Sequence, residues 1–168
     1  MKIAKYTLVL VSVFVFSSCN TPEQKGAWET MTFNQSKPIL VEVNDGDEIR
    51  EHGEQVFFEA MMSDADGNAV AQLIGMQHIA DLPEEDGIGN AMVEERFTNM
   101  AIVFSDVDKI MISGAIVYPM NQRIMQIDDP QVMAIIGGTG KYKGIRGQVT
   151  TTRKAEELYT HVLEYRLD

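Results

Sequence analysis

The chain is short of cysteine, of histidine and of positive charge. It holds one cysteine, Cys19, which rules out an internal disulfide. Fourteen basic residues stand against 25 acidic ones, a formal net charge of −11, so the basic face that nucleic acid or anionic lipid would need is missing. Of the three histidines, His52 and His78 have no metal-ligand spacing with each other or with the cysteine, which argues against zinc. No P-loop, dinucleotide fingerprint, nucleophile elbow or Ser/His/Asp signature is present, and no cofactor is implied. Long amphipathic helices are absent too. Windows such as GEQVFFEAMM are short and read better as strand.

What is present begins with an address. Lys2 and Lys5 precede a nearly all-apolar run from Thr7 to Phe16, too short for a comfortable membrane span. Phe16-Ser17-Ser18-Cys19 then reads as a lipobox, with small residues just before a thiol that can take a diacylglycerol. Residues 1–18 are accordingly expected to be a lipoprotein signal peptide. Residues 19–36 are expected to be the lipidated Cys19 and a polar flexible tether, and 37–168 a folded domain. Asn20, rather than an aspartate, follows the cysteine, which points to the outer membrane of a Gram-negative cell envelope, with several acyl chains such as palmitate as the membrane anchor. An ordinary signal peptide with an incidental cysteine is the competing reading. Two of the basic residues lie in the signal, so the rest of the chain carries 12 basic and 25 acidic residues, a formal net charge of −13.

From Lys37 the apolar pattern has period two. Eight strands are predicted: Pro38–Asn44, Gln55–Ser63, Ala69–Asp81, Ala91–Ser105, Lys109–Tyr118, Gln131–Gly137, Tyr142–Arg153 and Leu158–Leu167. Turn chemistry separates them, as in SDADGN and LPEEDGIGN. SDADGN has alternating acids like a calcium loop, but the twelfth position from Asp64 is Gly75 where a glutamate is needed, so a solvated hairpin tip is expected. Eight antiparallel strands in one all-β domain suggest a closed barrel, which removes exposed edges. A barrel of that size is either filled by side chains or holds one small ligand. The abundant methionines suit either a core filler or an adaptable apolar pocket.

Five of the thirteen glycines fall between Val132 and Val149: Gly137, Gly138, Gly140, Gly144 and Gly147. They predict a sharp hairpin between two strands. The segment GGTGKYKGIRGQV resembles the glycine hairpin near the C-terminus of the allene oxide cyclase and dirigent barrel superfamily. FSDVDKIMISGAIVYP before it and LYTHVLEYRL after it keep the superfamily's order and rough spacing. The resemblance spans about Ile39 to Leu167 and implies an eight-stranded antiparallel β-barrel, often trimeric through its outer faces.

Plant allene oxide cyclases carry a glutamate and an asparagine two apart on the first strand, to hold a water and steady charge during ring closure. Glu42 and Asn44 fit that pattern in ILVEVND. Other positions depart from it. Gln77 stands near the place of the family's cysteine, Tyr118 lies four residues after Gly114 rather than close behind it, and no proline follows the Glu-x-Asn pair between Asp45 and Gln55. These departures argue against the allene oxide cyclase reaction itself. Two functions remain open at this point. One is a cofactor-free cyclase, isomerase or dirigent-like guide, holding an apolar substrate with Glu42 and Asn44 as polar anchors and Tyr118 or His161 as proton handlers. The other is a non-catalytic lipoprotein that binds a hydrophobic ligand or serves the envelope structurally.

Overall fold

The structure is a computed structural model that describes residues 26–43, 53–80, 93–119, 124–156 and 158–168. The signal and lipidation residues, Cys19 among them, lie outside the described residues, as does Asn44. Nine strands form one antiparallel sheet: β1 (Glu29–Gln35), β2 (Ile39–Val43), β3 (Gln55–Ser63), β4 (Ala69–Ile79), β5 (Val93–Val103), β6 (Lys109–Pro119), β7 (Gln131–Thr139), β8 (Ile145–Ala155) and β9 (Leu158–Leu167). From β2 to β9 each pairs with its neighbour in sequence. β1 then pairs with both β9 and β3, and the sheet closes as an eight-stave barrel.

Nine strands make eight staves because β1 and β2 lie end to end along β3. Asn34 and Gln35 face Ser63 and Met62, Ser36 N–H reaches Met61 O at 3.1 Å, and Ile39 then faces Glu59. The register slips by one residue around Lys37–Pro38. Pro38 has no N–H for a ladder and falls where the ladder is already broken. The slip swaps faces: on β1 the odd Met31, Phe33 and Gln35 form the inner side, with Phe33 and Gln35 buried, whereas in β2 the even Leu40 and Glu42 share the inner side with Phe58 and Val56. The expected tether thus ends too late. The segment up to Ser36 contains a full strand that pairs with β9 over its whole length, from Glu29 opposite Tyr165 to Gln35 opposite Tyr159.

The barrel interior is divided along its length. In the half that holds the β3–β4, β5–β6 and β7–β8 turns, the wall is apolar and tight. Ile102, Ile110, Ile112, Ile145, Val149 and Leu163 are essentially without exposure, each stabilising by roughly 1.5–3 kcal/mol. A row of rings stops this end: Phe33 lies 5.8 Å from Phe104, and Phe104 lies 4.9 Å from Tyr142. Tyr142 comes from the glycine hairpin. There β7 runs on to Thr139, a single 3-10 turn covers Gly140–Tyr142, and β8 starts only at Ile145. Gly140 is needed at this turn. Its φ is +59°, and a Cβ there would sit 2.1 Å from the Asp108 carboxylate that accepts the Lys141 N–H. At the SDADGN tip the Asp64 carboxylate accepts N–H bonds from Asp66 and Asn68, as a hairpin tip requires.

Candidate functional site

Among the described residues, eight polar or charged ones are buried: Gln35, Gln77, Glu94, Arg96, Thr98, Thr151, Arg153 and His161. The strand registers gather all of them in the half of the barrel toward which β1, β4, β6 and β8 run, opposite the glycine hairpin. A cavity of about 80 Å³ lies among them. Its polar wall includes Gln35, Gln77, Arg96, Thr98, Tyr118, Thr151, Tyr159 and His161, and its apolar wall includes Leu40, Val56, Phe58, Leu73, Met100, Ile116 and Met133.

The first polar group is built on β5. Alternation points Glu94, Arg96, Thr98 and Met100 inward together. The Arg96 Nε–H donates to Glu94 Oε1, and its NH1 donates to Gln77 Oε1 at 3.0 Å. Gln77 spends its Nε2 on the Tyr118 hydroxyl, also at 3.0 Å. The guanidinium carbon lies over the Tyr118 ring, 3.6 Å from its centroid, a cation–π contact out of water. A buried ion pair with both partners hydrogen-bonded is tolerable where a lone charge would not be. The consequence for Tyr118 is a fixed ring, with a hydroxyl that accepts from Gln77 and keeps its own proton to give.

The second group joins β1, β8 and β9. His161 is 1% exposed. Its Nε2 is 2.7 Å from Gln35 Oε1, and its Nδ1 is 2.9 Å from Thr151 Oγ1. With a carbonyl oxygen facing Nε2, that nitrogen carries the proton and Nδ1 accepts the Thr151 hydroxyl. Burial pushes the imidazole down from its ordinary 6.5 to about 4 and keeps it neutral. His161 therefore lines the cavity, but both nitrogens are engaged. Burial, and then the nearby Tyr118, push the Tyr159 phenol up.

Thr98 differs from the rest. It is 1% exposed, and its hydroxyl has no hydrogen-bond partner among the described residues. Leaving such a group unpaired costs about 1–3 kcal/mol. Arg153 covers this end of the barrel. Its guanidinium donates to three backbone carbonyls, those of Met125, Ala155 and Glu156, and so ties the segment before β7 to the β8–β9 turn.

Of the residues singled out by sequence, Tyr118 and His161 are brought together at the cavity. Glu42 is half-buried on the inner side of β2 and has an interaction partner, but it stands outside the cavity wall. The five glycines lie on the strands and hairpin of the opposite half, where their role is structural. Sequence reasoning missed Glu94, Arg96 and Thr98. Their signal was the every-second-residue polar run leading into Met100 and Ile102, masked because Phe97 and Ala101 suggest the other face as core. Gln77, singled out from the sequence only as a departure from a family pattern, is the residue that holds Tyr118.

No protein-family model matches the chain, and no curated protein matches it in sequence. Solved structures do match in shape. A Diels-Alderase from Streptomyces koyangensis superposes with a TM-score of 0.64 at 15% identity, over 87% of this chain and 71% of that one. Pyocyanin demethylase gives 0.61 at 20%, over 82% and 99%. A pterocarpan synthase dirigent protein gives 0.59 at 16%, over 98% and 100%. At these identities the likeness concerns the fold.

Proposed function

For a chain with the allene oxide cyclase and dirigent-like barrel fold, we propose a cofactor-free cyclase, isomerase or guide that holds an apolar small molecule in the polar half of its barrel. The observation that carries this reading is that the eight buried polar residues among those described share one half of the barrel, six of them on the wall of one cavity, while the core of the other half is apolar packing. A barrel needing only stability would have no use for that asymmetry, because well-packed hydrophobic residues do as well as a buried ion pair. Tyr118 is the proton donor in this reading, oriented by Gln77 and Arg96. In an apolar surrounding, a preorganised donor aimed at a substrate oxygen is worth more than in water. Glu42, half-buried on the inner side of β2 and outside this wall, is left as a second polar group beside the site, and the reading does not depend on Asn44. The domain is tethered to the outer membrane through lipid on Cys19.

Incubating the full chain with an extract of small apolar metabolites and following it by mass spectrometry tests this. The expected result is a product of unchanged mass and altered retention that disappears with Tyr118→Phe. A product that persists in the Tyr118→Phe variant would refute the assignment of the donor.

The small cavity volume and the engaged His161 nitrogens favour a second reading, a non-catalytic lipoprotein that only binds its ligand. In that case the extract yields a retained compound and no isomer.

A further inference from the structure

We propose that the cavity takes a small, largely apolar molecule bearing one carbonyl oxygen, and that the hydroxyls of Thr98 and Tyr118 together hold that oxygen. This rests on the ligand-site reading above and adds the class of ligand and the residues that select it.

The Thr98 hydroxyl is fully buried on the cavity wall without a partner. Its surroundings explain why nothing inside the barrel pairs with it. Its partner across β6 is Gly114, and the space a side chain would fill there belongs to Met133. Its partner across β4 is Gln77, whose amide is already divided between Arg96 and Tyr118. Thr151, the other threonine hydroxyl in the wall, is bonded to His161. Among the described residues, the Thr98 hydroxyl is thus a donor without an acceptor.

Tyr118 supplies the second donor. Its oxygen accepts from Gln77, so its proton is left for the cavity. Gln77 is the cross-strand neighbour of Thr98, and this places both hydroxyls on the same stretch of wall. Two hydroxyl donors on one stretch of cavity wall suit an oxygen that only accepts. A ketone or aldehyde oxygen has two lone pairs and no proton, and satisfies both. A hydrocarbon leaves Thr98 as it is. No charge on the ligand is called for, because Arg96 already has Glu94 beside it. About 80 Å³ among Val56, Phe58, Leu73, Met100 and Met133 suits a single ring or a short branched chain.

Cyclohexanone and methylenecyclohexane are nearly equal in shape and differ in the oxygen. Both are titrated into the full chain labelled at its methionine methyls, with Met100 and Met133 reporting on the cavity. Cyclohexanone is expected to bind about ten-fold more tightly, and Thr98→Val and Tyr118→Phe each to remove most of that preference while leaving the hydrocarbon within about two-fold. Thr98→Val is also expected to melt no lower than the wild type, since it removes an unpaired buried hydroxyl. Equal binding of the two probes with both methyls shifted would overturn the carbonyl clamp and leave the ligand site standing. No shift at Met100 or Met133 with either probe would overturn both. A Thr98→Val variant that melts several degrees lower would show that the hydroxyl has an internal partner, and would sink the proposal on its own.

Discussion

At the scale of single residues, His161 shows how the same side chain can read as chemistry in sequence and as architecture in space. Histidine on the last strand suggests a proton shuttle because the imidazole ordinarily titrates near neutrality. Here burial holds it near 4 and both nitrogens are bonded, so its work is to fix Thr151 and Gln35. The linkage has a definite sign. The unfolded chain takes up a proton at this group around pH 6.5 and the folded chain only around 4. Stability from the group is therefore complete above 6.5 and is lost as pH falls toward 4, at most about 3 kcal/mol in all. Urea unfolding of the wild type and of His161→Gln across this window is expected to give a shallower pH slope for the variant, by up to about 1.4 kcal/mol per pH unit. Parallel slopes would mean that His161 charges freely in the fold.

At the scale of elements, β1 decides whether the barrel exists. It joins β9 through seven residue pairs and touches β3 through two, and Tyr165 adds a hydroxyl bond to Glu29 at 2.8 Å. Without β1, the edge of β9 and part of the edge of β3 are unpaired, a template for aggregation. A chain beginning at residue 26 is expected to melt cooperatively, and one beginning at residue 37 to aggregate or to melt without a sharp transition. Equal melting of the two would remove β1 from the barrel. This strand also marks where sequence reading ran out. The strands with an apolar face, such as KIMISGAIVYP and LYTHVLEYRL, were legible from alternation alone, and the closed barrel followed from their number. ETMTFNQ was not, because only Met31 and Phe33 of its inward residues are apolar and the third, Gln35, serves the polar half. The same cause hid most of the site. A barrel wall that changes from apolar to polar partway along each strand breaks the inside-apolar rule at Glu94, Arg96 and Thr98. Tyr118 and His161 were visible because strand residues of ambiguous polarity stand out in an apolar run.

At the scale of the whole molecule, the outside of β2 to β6 is more apolar than a solvated wall needs to be. Ile39, Val41, Phe57, Ile74 and Met111 are exposed around an open groove of about 710 Å³, floored by Gly75. Apolar patches of this kind are commonly covered by a partner. Association of copies through this face is the expected outcome. Sedimentation of the full chain should show a concentration-dependent oligomer, reduced to monomer by Phe57→Lys or Ile74→Lys. A wild type that stays monomeric throughout would leave the groove to some other occupant.

The slip at Lys37–Pro38 bears on how such a molecule could change over generations. One extra residue there, four against three on β3, is what switches the inward parity, so losing one codon between Gln35 and Ile39 would close the ladder without a bulge. Ile39 would still face Glu59, and Leu40 and Glu42 would keep the inner side. A gain or loss that left the slip in place would instead turn Ile39, Val41 and Val43 inward. The junction thus absorbs a single lost codon with no other strand altered, and a lineage of such barrels can shorten there and keep its cargo.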